Sequence, residues 1–159
     1  MAPAWASALE ASALGAFVRD SSWLYPTANL VHILGIAILL GAIIALDLRL
    51  LRLGRGTIAL PGAARYLSPL AATGLALAAP AGFLLFAADA GPMAAHPVMQ
   101  VKAVLIALGL ANVALFHALW WRRLDTWDTA PPAAGRAMAL LSMALWLGAA
   151  ACGRLVAYF

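Results

Sequence analysis

"NLVHILGIAILLGAIIALDLRLL", residues 29–51, is the stretch on which the reading of the whole chain turns. It carries no formal charge until Asp47 and is long enough to cross a hydrocarbon core, which takes about 20 mostly apolar residues. Asp47 and Arg49 then mark its exit. The anomaly is His32, six residues past Pro26. Ionisable side chains within a membrane span are costly and commonly serve a ligand, a proton or a partner group.

The rest of the chain agrees with a membrane reading. Of its 159 residues, 65% are hydrophobic and 10% charged, against roughly 25% charged in a soluble domain. Mean hydropathy is +0.94. Three further segments, about 66–88, 97–121 and 137–158, join the first, taken as 27–51, as apolar spans. The connections "GRGTIALPGAAR", "DAGPMAAHP" and "RRLDTWDTAPPAAGR" are rich in Gly, Pro and charge. Pro97 opens the third span, where its missing N–H costs nothing, and Pro80 is expected to kink the second. Residues 1–22 lack a basic leading region, and Glu10 interrupts their apolar run. Trp5, Leu9, Ala13, Ala16 and Phe17 recur at helical spacing, which predicts one amphipathic helix lying on the membrane surface. The expected fold is therefore an all-α integral membrane protein, a four-transmembrane-helix bundle (23–159) behind an N-terminal amphipathic interfacial helix (1–22).

Charge orients the bundle. Arg49, Arg52, Arg55, Arg65, Arg122, Arg123 and Arg136 flank the first and third connections, seven of the ten Lys and Arg residues. The positive-inside rule makes that end cytoplasmic and puts both termini outside, in the periplasm if the membrane is a bacterial inner membrane. The arginines thus account for the basic balance without nucleic acid. Trp5, Trp23 and Tyr25 suit an outer aromatic belt, and Trp120, Trp121 and Trp127 an inner one. Small residues recur every four positions in Ala37, Gly41, Ala45; in Ala103, Ala107, Ala111; and in Ala144, Gly148, Cys152. Such stripes permit close helix contact, within the bundle or in a homo-oligomer. Cys152, the single cysteine, is expected to pack without redox chemistry.

Three ionisable side chains fall at similar depth in the outer leaflet. His32 is six residues past Pro26, Lys102 five past Pro97, and Arg154 five before Phe159. Asn29 shares the His32 face, and His96 stands at the mouth of the third span. A neutral imidazole is a standard haem ligand, and two nearby cations suit its propionates. His117 lies about 20 Å deeper than His32, too far to ligate the opposite face of one haem. It is expected at the inner interface, hydrogen-bonding Asp47 or lipid. Asp47 should face the bundle, with Arg122, Arg123 or Arg136 to neutralise it. The competing metal is copper: Met93, His96 and Met99 in "MAAHPVM" offer thioether and imidazole ligands at three-residue intervals. A third reading is a cofactor-free accessory subunit, in which the same groups stabilise the bundle or bind a partner.

"HILGIAILLGAIIALDLRLL" and "HPVMQVKAVLIALGLANVALFH" resemble the small four-helix membrane proteins of the copper-resistance D and HemJ-type protoporphyrinogen oxidase group. The ending "GRLVAY" is similar to that of an uncharacterised family of short membrane proteins with a GR…AY close. The resemblance spans roughly residues 26–158. It implies haem b, with the first-helix histidine and third-helix lysine, here His32 and Lys102, at the cofactor. It also implies a redox or electron-transfer role with a redox partner. The lysine-to-histidine spacing, 15 residues here, is longer than in the HemJ-type enzymes, so the implication covers haem binding rather than oxidase activity.

Overall fold

The computed structural model describes residues 2–54, 56–128, 130–156 and 158; Arg55 of the arginine-rich end and Ala157 of the GRLVAY ending lie outside them. Seven α-helices follow one another: α1 Ala4–Glu10, α2 Ala13–Asp20, α3 Leu24–Leu50, α4 Leu60–Ala88, α5 Ala90–Ala95, α6 Pro97–Trp120 and α7 Ala133–Leu155. A 3-10 turn, Trp121–Trp127, extends α6. Four helices, α3, α4, α6 and α7, are long and apolar enough to cross a membrane. The second of these begins at Leu60 rather than at 66, because Pro61 sits in its first turn after the extended Ala59. It then runs through both Pro69 and Pro80.

The N-terminal region is two helices where the sequence reading expected one. Ser12 breaks it: its Oγ accepts the Gly15 N–H at 3.2 Å and donates to the Leu9 carbonyl at 2.6 Å. A side chain that satisfies both helix ends removes the advantage of continuing the helix. The buried face is also not the aromatic stripe. Ala6, Gly15 and Val18 are buried, whereas Trp5 and Phe17 are each 60% exposed. The pair caps the far end of α4. Arg19 Nη1 donates to the Ala88 carbonyl at 3.0 Å, and the Gly91 N–H donates to Glu10 Oε2 at 2.7 Å.

The long helices form a row, α4–α3–α7–α6, in which α4 and α6 do not pack against one another. The tightest seam is α3 on α4. A Cβ added to Gly74 would lie 2.5 Å from the Leu39 nitrogen, and one added to Gly35 would lie 2.6 Å from that of Ala78. The two backbones therefore touch, which only glycine allows. Of the three small-residue stripes read from the sequence, the one on α7 meets α6, a Cβ on Gly148 lying 3.2 Å from the Leu105 side chain, and the other two are elsewhere. Ala37, Gly41 and Ala45, like Ala103, Ala107 and Ala111, face outward, and a Cβ on Gly41 would meet nothing within 4 Å.

At the arginine-rich end, Leu50, Leu60, Phe116, Leu124, Trp127 and Ala139 make a buried cluster. Trp127, expected in an aromatic belt, belongs to this core: it is 6% exposed and meets Phe116 edge-on at 6.3 Å. The 3-10 turn swings it inward over the helix ends.

Candidate functional site

His32 turns onto α4. Its Nδ1 lies 2.7 Å from the Ala78 carbonyl oxygen. A carbonyl can only accept, so Nδ1 carries the proton and, in the neutral ring, Nε2 keeps its lone pair. The ring rests on Gly82, where an added Cβ would lie 2.6 Å from Cε1. Glycine at 82 makes the space that the imidazole fills.

The partners expected around His32 point elsewhere. Lys102 is half-buried against α7, its Nζ 3.2 Å from where a Cβ on Gly153 would stand, beside Cys152. Arg154 is exposed; its Nη2 donates to the Tyr158 hydroxyl at 2.6 Å and its guanidinium lies 5.0 Å from that ring's centre. Asn29 is exposed on α3. Shared depth therefore does not become shared contact.

His96 acts as the N-cap of α6, with Nδ1 accepting the Val98 N–H at 3.2 Å. Its Nδ1 lone pair is committed and the proton of the neutral ring sits on Nε2. Met93 and Met99 flank it, half-buried. Among the described residues no three His, Cys, Asp or Glu side chains gather as a metal site.

His117 bonds neither Asp47 nor a charged partner. Its Nδ1 donates to the Val113 carbonyl, one turn back, at 2.9 Å, and its ring stacks on Trp121 at 4.7 Å. Nε2 is again the free nitrogen.

A further feature lies where α4 and α6 fail to meet. A cavity of about 400 Å³ opens there, floored by α3 and α7. Leu39, Ile43, Leu75, Phe116 and Met138 make most of its wall, with Asp47, Ser68, Asn112, His117, Ser142 and Trp146 as the polar positions. Asp47 faces the bundle as expected, 6% exposed, but forms no ion pair with Arg122, Arg123 or Arg136 among the described residues. Ser142 of α7 stands beside it. Asp47 Oδ2, Ser68 Oγ and Trp146 Nε1 are buried without any hydrogen-bond partner. Asn112 uses its amide nitrogen on the Met138 carbonyl at 3.2 Å.

At the arginine-rich end of the molecule is an ion pair that sequence reasoning missed. Arg49, read as a helix end, is 4% exposed. Its Nη2 donates to Asp128 Oδ1 at 2.5 Å and its Nε to the Ile58 carbonyl at 2.6 Å. Asp128 Oδ1 also accepts the Leu60 N–H at 2.6 Å. One carboxylate thus ties the end of α3, the start of α4 and the α6–α7 connection. Ser68, Asn112, Ser142 and Trp146 were missed as well. Their signal was available: polar side chains inside apolar spans, at depths near that of Asp47.

The molecule is an all-α protein of the multi-pass membrane class, with an imidazole held on a backbone carbonyl in one seam and a cavity with polar residues in its lining at another. No family model, no curated protein and no solved structure matches the chain.

Proposed function

We propose that this chain is an integral membrane haem b protein serving electron transfer, with Nε2 of His32 as the iron ligand. The observation that carries the reading is the 2.7 Å contact between His32 Nδ1 and the Ala78 carbonyl. A backbone acceptor on the other ring nitrogen is how ligating histidines are commonly held in one tautomer and one orientation. Bound there, the haem would supply a one-electron couple. His32 would hold the iron and Ala78 would fix the ring, while Lys102 and Arg154, turned to α7 and Tyr158, would reach the propionates only by changing their side-chain conformations. The copper alternative at Met93, His96 and Met99 is the weaker reading, because His96 already caps α6 with Nδ1. The arginines at the opposite end support cytoplasmic loops there, periplasmic termini and a bacterial inner membrane. The outward stripes on α3 and α6 are where a homo-oligomer or redox partner would pack.

The test is haem titration into purified protein in detergent, comparing wild type, His32→Ala and His117→Ala. Wild type and His117→Ala should take up one haem per chain with a Soret band. His32→Ala should not, and added imidazole should restore the band by filling the vacated ligand position. Loss in His117→Ala with retention in His32→Ala would overturn the assignment.

A further inference from the structure

Three residues lining the cavity between α4 and α6 carry a buried polar atom with no hydrogen-bond partner among the described residues. Asp47 and Trp146 are 6% and 4% exposed, and Asp47 Oδ2, Ser68 Oγ and Trp146 Nε1 all lack partners. Away from water, each such atom costs several kcal/mol. Three in one apolar cavity of about 400 Å³ define the complement of a ligand.

The complement can be specified. Trp146 Nε1–H only donates, whereas Ser68 and the Asp47 carboxyl group can each take a hydrogen bond from a ligand hydroxyl. The occupant must therefore both accept and donate, as a hydroxyl does. Ser142, the neighbour of Asp47, and Trp146 lie one helical turn apart on α7, about 5.4 Å. The wall holds no lysine or arginine and does hold Asp47. Fatty acids, phospholipid phosphates and haem propionates would find no lysine or arginine to pair with there. Phe116 and Trp146 offer aromatic surface to a flat ring. The unpacked α4–α6 seam leaves a lateral route for an apolar tail.

We propose that this cavity binds a neutral hydroquinone-type lipid, its ring hydroxyls between Asp47 and Trp146 and its tail leaving between α4 and α6. The assignment is independent of the haem reading and concerns binding alone.

The experiment uses the full chain in phosphatidylcholine nanodiscs with tritiated decylhydroquinone, kept reduced by ascorbate, against empty nanodiscs. Saturable binding at one per chain is expected. The dimethyl ether of the same probe, which cannot donate, should compete about tenfold or more weakly, the effect of losing a hydrogen bond to a charged group. Ala72→Phe and Ala114→Phe obstruct the cavity from outward-facing positions on α4 and α6 and should abolish binding. Leu140→Phe, outward on α7 and away from the cavity lining, should leave it unchanged. His32→Ala should bind normally whatever its visible spectrum, which separates this proposal from the haem reading. Non-saturable uptake, equal competition by the dimethyl ether, stronger competition by palmitate, or undiminished binding in both obstructing variants would each overturn it.

Discussion

The two sides of α4 are built on opposite terms. Toward α3, glycines at 35 and 74 let the backbones touch, and Gly82 leaves room for the His32 ring. Toward α6 there is no such contact, and a cavity with unpartnered polar atoms takes its place. In lipid, helix association depends on close packing because burial of apolar surface gives no advantage over the hydrocarbon. Glycine therefore decides which seam closes. Where the opposed residues are Leu, Ser and Ala on α4 and Leu, Asn and Phe on α6, the helices stay apart. The closed seam fixes one imidazole in one tautomer; the open one leaves room for a second molecule.

Removing the tie that holds the open side at its arginine-rich end should have the largest effect. Asp128→Ala leaves Arg49 buried without its carboxylate and frees the α6–α7 connection from α3 and α4. A loss of about 3 kcal/mol is expected, read as a lowered unfolding midpoint in detergent. Asp128→Asn, which keeps an acceptor, should recover part of it.

Next comes the closed seam itself. Gly74→Ala drives a methyl group into the Leu39 backbone and should cost about 2 kcal/mol. It should also disturb whatever signal reports His32, since Ala78 lies one turn away. If the seam tolerated Gly74→Ala without change, the contrast between the two sides of α4 would lose its basis. The matched control is Gly41→Ala, which points outward and should change stability by no more than about 0.5 kcal/mol in detergent-solubilised monomer. Should Gly41→Ala instead weaken a dimer measured by cross-linking, the outward stripe would be an oligomer contact. The smallest effect is expected from Cys152→Ala. Its thiol sits half-buried beside Lys102 with no disulfide partner, and haem content and stability should be nearly unchanged.

The four spans were legible in hydropathy because length and apolarity alone define them. The orientation of each helix was not. In a bilayer the lipid-facing and bundle-facing sides are both apolar, so Ala37, Gly41 and Ala45 read as a packing stripe although they face outward. His32 stood out as an imidazole in a span, but its partner is a backbone carbonyl that leaves no mark in the sequence. Arg49 and Asp128 are 79 residues apart and meet only through the fold. Lys102 and Arg154 were grouped with His32 by depth, yet depth carries no azimuth, and they turn to α7 and Tyr158. The cavity lay hidden because its polar atoms belong mostly to serine, asparagine and tryptophan, which a search for ionisable groups passes over.

The central functional claim, that the closed seam holds a haem ligand, is tested most directly by the visible absorption spectrum of the protein purified from haem-sufficient cells. A Soret band at one haem per chain, absent from His32→Ala purified in parallel and present in His96→Ala, is the expected result. A colourless wild-type preparation, or a band that survives in His32→Ala, would contradict it.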